Sequence, residues 1–124
     1  MRGINRVTLV GKLGLDPNLQ FTKAGVPVCN LRVATNEVHT TPEGLQRSTV
    51  EWHNVTVWGQ RGVAAAETLA KNCTVLIEGR LESKRYVAKN GIETRSWNVV
   101  ARNIVFLTTA RPDEPDLEYD EAAT

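Results

Sequence analysis

The chain has 124 residues, 41% of them hydrophobic and 23% charged, the make-up of one globular domain able to bury a core of its own. No apolar run nears the roughly 20 residues of a membrane-spanning helix, and the opening MRGINRVTLV has neither the apolar stretch of a secretory signal nor the length of a transit peptide, which excludes membrane-spanning and secreted classes from the reading. The formal net charge of +1 hides a division: residues 1–111 hold all 15 Lys and Arg against eight acids, and residues 112–124 hold the other six acids and no base. A basic body with an acidic end fits a polyanionic partner, and equally a solvated surface with a solubilising tail.

Short runs rich in Val, Thr, Trp and Asn, broken by Gly, Pro and Asn, predict strands. Residues 5–13 (NRVTLVGKL) form the first, closed by the turn Gly14-Leu15-Asp16-Pro17, and a short strand follows over 19–22. Residues 26–38 form a long second strand, with Cys29, Leu31, Val33 and Thr35 on one face and Val28, Asn30, Arg32 and Ala34 on the other. Residues 39–48, polar and holding Pro42 and Gly44, read as a hairpin loop, and 49–58 as the third strand. The period then changes: in GVAAAETLAK, Val63, Ala66, Leu69 and Ala70 share a helical face, which predicts a short helix over 62–71. Alternation returns over 74–87, Lys89-Asn90-Gly91 is a hairpin turn, 92–101 descends, and 103–107 adds a final short strand. The domain is expected to span 1–110; from Arg111 onward the prolines and acids offer too little to bury, which predicts a disordered acidic tail over 111–124. Five main strands with one short helix between the third and fourth is the element order of an all-β oligonucleotide/oligosaccharide-binding barrel.

The third strand carries the most chemistry. Val50, Trp52, Asn54, Thr56 and Trp58 point one way, and Glu51, His53, Val55 and Val57 the other. Val55 and Val57 belong inside, so Trp52 and Trp58 are expected outside, about 20 Å apart along the strand, where each could stack on a separate base. In the fourth strand Val75, Ile77, Gly79 and Leu81 are expected inward; Arg80, Lys84 and Tyr86 then form a second basic and aromatic row, with Arg85 and Lys89 near the hairpin tip. Trp97 shares a face with Arg95 and Val99, and core and stacking readings stay open for it. Cys29 and Cys73 have no CxxC or Cys/His partner pattern, so buried thiols are expected and no metal site. No triad, paired-carboxylate spacing or phosphate loop points to an enzyme, and no cofactor is expected.

The segments GINRVTLVGKLGLDPNLQF, NLRVATNE, EWHNVTVWG, VLIEGRLESKRY and NGIETRSWNVVA resemble, in order and spacing over about 1–107, the bacterial and mitochondrial single-stranded DNA-binding proteins. The resemblance implies a barrel assembled as a homo-oligomer, usually a tetramer, that binds single-stranded DNA without sequence preference in replication, recombination and repair. A bacterial cytoplasmic, nucleoid-associated setting is expected ahead of a mitochondrial one, with no membrane partner. Carried over by position, Trp52, Trp58 and Tyr86 match the stacking aromatics; Phe21 falls at a position that is often aromatic, and His39 stands where many bacterial members have Trp. Arg2, Lys12, Arg32, Lys71, Arg80 and Lys84 fall at or near DNA-contacting positions, joined here by Asn54 and Arg85. His53 matches an interface histidine, and Asn5, Val7 and Leu9 lie in the strand used for dimer pairing. Glu82 departs by placing an acid in the basic row. The Gly/Pro/Gln-rich linker and terminal Pro-Phe of the family do not occur in this sequence, so recruitment of replication and repair proteins through such a tail is not carried over. A replication-restart adaptor resembling primosomal replication protein N is the alternative, disfavoured by the full aromatic set.

Overall fold

Period-two alternation carries six segments into strands and one Ala-rich stretch into a helix. In the computed structural model, which describes residues 1–108, these are β1 (Val7–Leu13), β2 (Asn18–Phe21), β3 (Pro27–Thr40), β4 (Gln46–Trp58), α1 (Gln60–Thr68), β5 (Thr74–Val87) and β6 (Glu93–Phe106). The predicted acidic tail lies outside the described residues. The strands follow one another in the order β1-β5-β6-β4-β3-β2, and β1 also meets β3. That last pairing, Lys12 with Ala34 and Leu13 with Val33, closes β1, β3, β4, β5 and β6 into a five-stranded barrel with β2 laid along β3. β4 and β6 run parallel and meet at Val55–Val99 and Thr56–Val100. The barrel expected from the element order is the one formed.

Leu13, Cys29, Leu31, Val33, Val55, Val57, Val75, Ile77 and Val99 fill the interior. Their common phase fixes the register, because a one-residue slip would turn each of these side chains to solvent. Both thiols are buried and unpaired, and burial pushes the Cys29 thiol above its ordinary value.

Four expectations about the elements need correction. The helix starts at Gln60 and ends at Thr68; of the expected face Leu69, just beyond its end, is buried and Ala66 packs against the core, but Val63 is only half-buried and the residues the helix itself buries are Gly62 and Ala65. The helix lies so close to the barrel that a Cβ on Gly62 would strike the Val57 carbonyl and come within 3.2 Å of the Cys29 Cβ. Close approach selects the smallest side chains there. Gly62→Ala is therefore expected to destabilise the fold by about 1–3 kcal/mol, read as a fall in denaturation midpoint. Second, β1 starts at Val7; Asn5 precedes it, and its side-chain amide donates to the Leu81 carbonyl at 2.8 Å and accepts from the Leu81 N–H at 2.9 Å. Third, the predicted ten-residue loop shrinks to a turn, because the arms of β3 and β4 pair beyond the barrel as far as Thr40–Gln46. Fourth, 92–101 and 103–107 are one strand, β6. The register passes from Glu78–Asn103 to Gly79–Ala101, so Arg102 is a bulge rather than a break. Past the Leu81–Val99 pair β5 and β6 leave the barrel as a two-stranded arm, and Leu81, expected inside, is 40% exposed at its root.

Candidate nucleic-acid interface

The β3–β4 register sets Val28 opposite Trp58, Asn30 opposite Thr56, Arg32 opposite Asn54 and Ala34 opposite Trp52. Cross-strand partners share a face, so these side chains line one outer surface, with an indole toward each end. Trp58 is 45% exposed. Trp52 is half-buried, its ring laid against Gly14, where a Cβ would occupy the ring's own space. The Arg32 guanidinium lies over the same ring, 5.5 Å from its centroid, within cation–π range. Trp52 is thus a braced platform, whereas Trp58 stands freely in solvent contact.

Between the indoles runs a polar lane. Asn98 Nδ2 donates to Thr56 Oγ1 at 2.6 Å, Thr56 Oγ1 donates to Asn30 Oδ1 at 3.4 Å, and Arg32 Nη1 donates to Asn54 Oδ1 at 3.0 Å. A shallow hollow of about 280 Å³ opens beside it, lined by Leu15, Asp16, Asn18, Asn30, Leu31, Arg32 and Asn54. Through Thr56–Val100 the surface continues onto the arm, where Arg80, Glu82, Lys84 and Tyr86 face outward opposite Val100, Asn98, Ser96 and Thr94. Tyr86 is 51% exposed. Arg80 Nη2 is held by Glu82 Oε2 at 2.8 Å, so the acid that departs from the basic row neutralises part of it.

The structure brings together Trp52, Trp58, Arg32, Asn54, Arg80, Lys84 and Tyr86, and with them Lys12, half-buried and set opposite Ala34 in the row that leads to Trp52. Others fall elsewhere. Phe21, exposed and paired with Pro27, sits on the strand phase of Leu19 and Cys29, opposite to that of Trp58. His39, paired with Arg47, shares the phase of Thr35 and His53 and is turned away from the Trp52 side of its hairpin. Arg85 takes the face of the arm opposite Tyr86, across from Arg95 and 3.6 Å from Glu93. Lys71 follows α1 with its N–H on Asp16 Oδ1 at 2.8 Å, and Arg2 is exposed ahead of β1. His53 Nε2 meets Thr35 Oγ1 at 2.9 Å. The hydrogen bonds linking Asn30, Thr56 and Asn98 are not predicted by the sequence; the shared phase of Asn30 and Arg32 and the outward phase of Asn54 and Thr56 are the signals that hint at them. Among the described residues no group of three or more His, Cys, Asp or Glu is placed to hold a metal ion, and no helix is long and apolar enough to cross a membrane.

A closed five-stranded barrel with a single short helix and an outer face of paired indoles, amides and cations defines an oligonucleotide-binding barrel with a nucleic-acid-type surface. Residues 4–107 match the model of the single-strand binding protein family. The chain is 34% identical over 118 residues to the single-stranded DNA-binding protein of Neisseria meningitidis serogroup A, covering 95% of this chain and 68% of that protein. It is 38% identical over 106 residues to the corresponding protein of Xanthomonas campestris, covering 86% and 62%. The chain belongs to the single-strand binding protein family. Among solved structures it resembles the Plasmodium falciparum SSB complex with single-stranded DNA (TM-score 0.81, 22% identity, 87% of this chain and 98% of that one). It also resembles a deletion mutant of the Thermus aquaticus single-stranded DNA binding protein (TM-score 0.75, 27% identity, 90% and 53%).

Proposed function

We propose that this protein binds single-stranded DNA without regard to sequence, in replication, recombination and repair in a bacterial cytoplasm, and that binding rather than catalysis is its activity. The observation that carries this reading is the outer face of β3 and β4, with Trp52 and Trp58 at its ends and a hydrogen-bonded polar lane between them. Every base has a π-face, so stacking is indifferent to sequence, while Arg32, Lys84 and Arg80 supply phosphate contacts that are equally indifferent. Titration with poly(dT) is expected to quench the intrinsic tryptophan fluorescence strongly, and duplex DNA to quench it weakly. A negligible change with poly(dT) overturns the reading and restores the adaptor alternative.

The assembly that acts is proposed to be a homo-oligomer, a tetramer. Two features support it. β1 meets β3 only at Lys12 and Leu13, so among the described residues Val7–Gly11 have no strand beside them on that edge. An open edge is a template for pairing. On the outer face, Val10, Leu76 and Val105 line up across β1, β5 and β6, with Val10 53% exposed. The side chains of Val7 and Leu9 pack against the barrel's own core, so pairing along β1 would use its backbone edge, and Asn5 is already bonded to Leu81. Val10→Asp is expected to lower the mass of the assembly seen by sedimentation while leaving the circular dichroism of the barrel intact; an unchanged mass removes this face from the interface.

A further inference from the structure

We infer that the β5–β6 arm carries a second base-stacking site, Trp97 with Arg95 and Arg85, on the face opposite Tyr86, reached by single-stranded DNA through the cleft between β4 and the arm. The inference rests on the proposed single-strand binding and extends it to the face of the arm turned away from Tyr86. Trp97 is 53% exposed, far from the usual fate of an indole with interior strand phase. Its partner on β5 is Ser83, too small to cover it. The Arg95 guanidinium lies 5.9 Å from its ring centroid.

One step further along the same face, Arg95 stands directly opposite Arg85. Like charges in a cross-strand pair are destabilising, and Glu93, 3.6 Å from Arg85, offsets one of the two at most. An arm with this repulsion built in gains from a bound anion, and the hollow of about 300 Å³ lined by Arg85, Glu93, Thr94 and Arg95 gives a phosphate room.

Continuity with the first surface comes from the cleft. About 130 Å³ in volume, it is walled by Trp52 and Asn54 from β4 and by Leu81, Trp97 and Asn98 from the arm. Both indoles border the same opening, so a strand leaving Trp52 meets Trp97 next, with the two arginines beyond it. A single site therefore reads as Trp58, Trp52 and Trp97 in succession, with Tyr86 serving the other side of the arm.

The test uses the full chain and a dT oligomer long enough to saturate one barrel, with Trp97→Ala, Trp97→Phe and Trp52→Ala measured side by side and assembly mass followed by native mass spectrometry. Trp97→Ala is expected to weaken binding by at least about fivefold, the lower bound for one stacked base, with Trp97→Phe recovering most of it and the assembly mass unchanged. A 5-iodouracil-substituted oligomer is expected to photo-crosslink to Trp97. A smaller loss in Trp97→Ala beside a clear loss in Trp52→Ala overturns this inference and leaves the proposed function standing. No loss in either overturns the proposed function itself. A loss that appears only together with dissociation of the assembly assigns Trp97 to contact between copies of the chain and overturns the stacking site.

Discussion

Trp58→Ala will weaken binding of a dT oligomer by about 1–3 kcal/mol and leave the stability of the barrel nearly unchanged. Trp58 is 45% exposed at the end of β4 and lies outside the buried cluster, so truncation removes a platform and little packing. Trp52→Ala will cost the same in binding and a further 1–2 kcal/mol or so in stability, because its half-buried ring covers Gly14 and lies beneath Arg32. The two variants therefore separate in denaturation midpoint while agreeing in affinity. Gly14→Ala gives the complementary result. It keeps the indole but fills the space on which the ring rests, so affinity falls although no aromatic is lost. Unchanged affinity in both tryptophan variants, with circular dichroism preserved, would sink stacking as the basis of binding.

Where a segment lines the barrel, its sequence showed its structure. Val55 and Val57 fixed the phase of β4, and through it the outward placement of Trp52 and Trp58. The misreadings share a different cause, which is that alternation does not say where the barrel stops. Leu81 and Trp97 continue the interior phase of Ile77 and Val99, yet Leu81 sits at the point where β5 and β6 leave the barrel and Trp97 sits past it, and so they are exposed. The same limit hid the arms of the β3–β4 hairpin: His39, Thr40, Gln46 and Arg47 bury nothing, and the backbone ladder that pairs them leaves no hydrophobic signature. The helix phase was legible only in part, in Leu69 and Ala66, for an opposite reason. Patterns of apolar size favour Val63, while a helix seated directly on a carbonyl favours Gly62, and the absence of a side chain carries no weight in a hydrophobic count. Val7 and Leu9 were legible as members of the first strand, but which face met the core became clear only once Leu9 was set opposite Ile77 and Val10 opposite Leu76.

Affinity for single-stranded DNA will fall steeply with salt. For single strands, log K falls with log salt by about 0.7 per phosphate contact, so about four contacts give a slope near −2.8 and a loss of about fiftyfold between about 50 and 200 mM salt. The described cations on the proposed path, Arg32, Lys84, Arg80 and the Arg85–Arg95 pair, make that number of contacts geometrically attainable. The titration must be run above the assembly concentration, because dissociation of an oligomer would add its own dependence. Arg80 supplies an internal check. Its guanidinium is spent on Glu82 at 2.8 Å, and a partly exposed ion pair of this kind contributes little to folding, so releasing it costs the barrel little. Glu82→Gln removes the competing charge at nearly constant shape. The variant is expected to bind dT several-fold more tightly at low salt and to steepen the slope by about 0.7. The gain should fade at high salt, where screening shortens to a few ångströms and the freed cation no longer distinguishes the two proteins. A wild-type slope near zero would remove the electrostatic share of binding altogether. A steep wild-type slope that Glu82→Gln leaves unchanged would instead place Arg80 off the path of the strand, and confine the phosphate contacts to Arg32, Lys84 and the arginines of the arm.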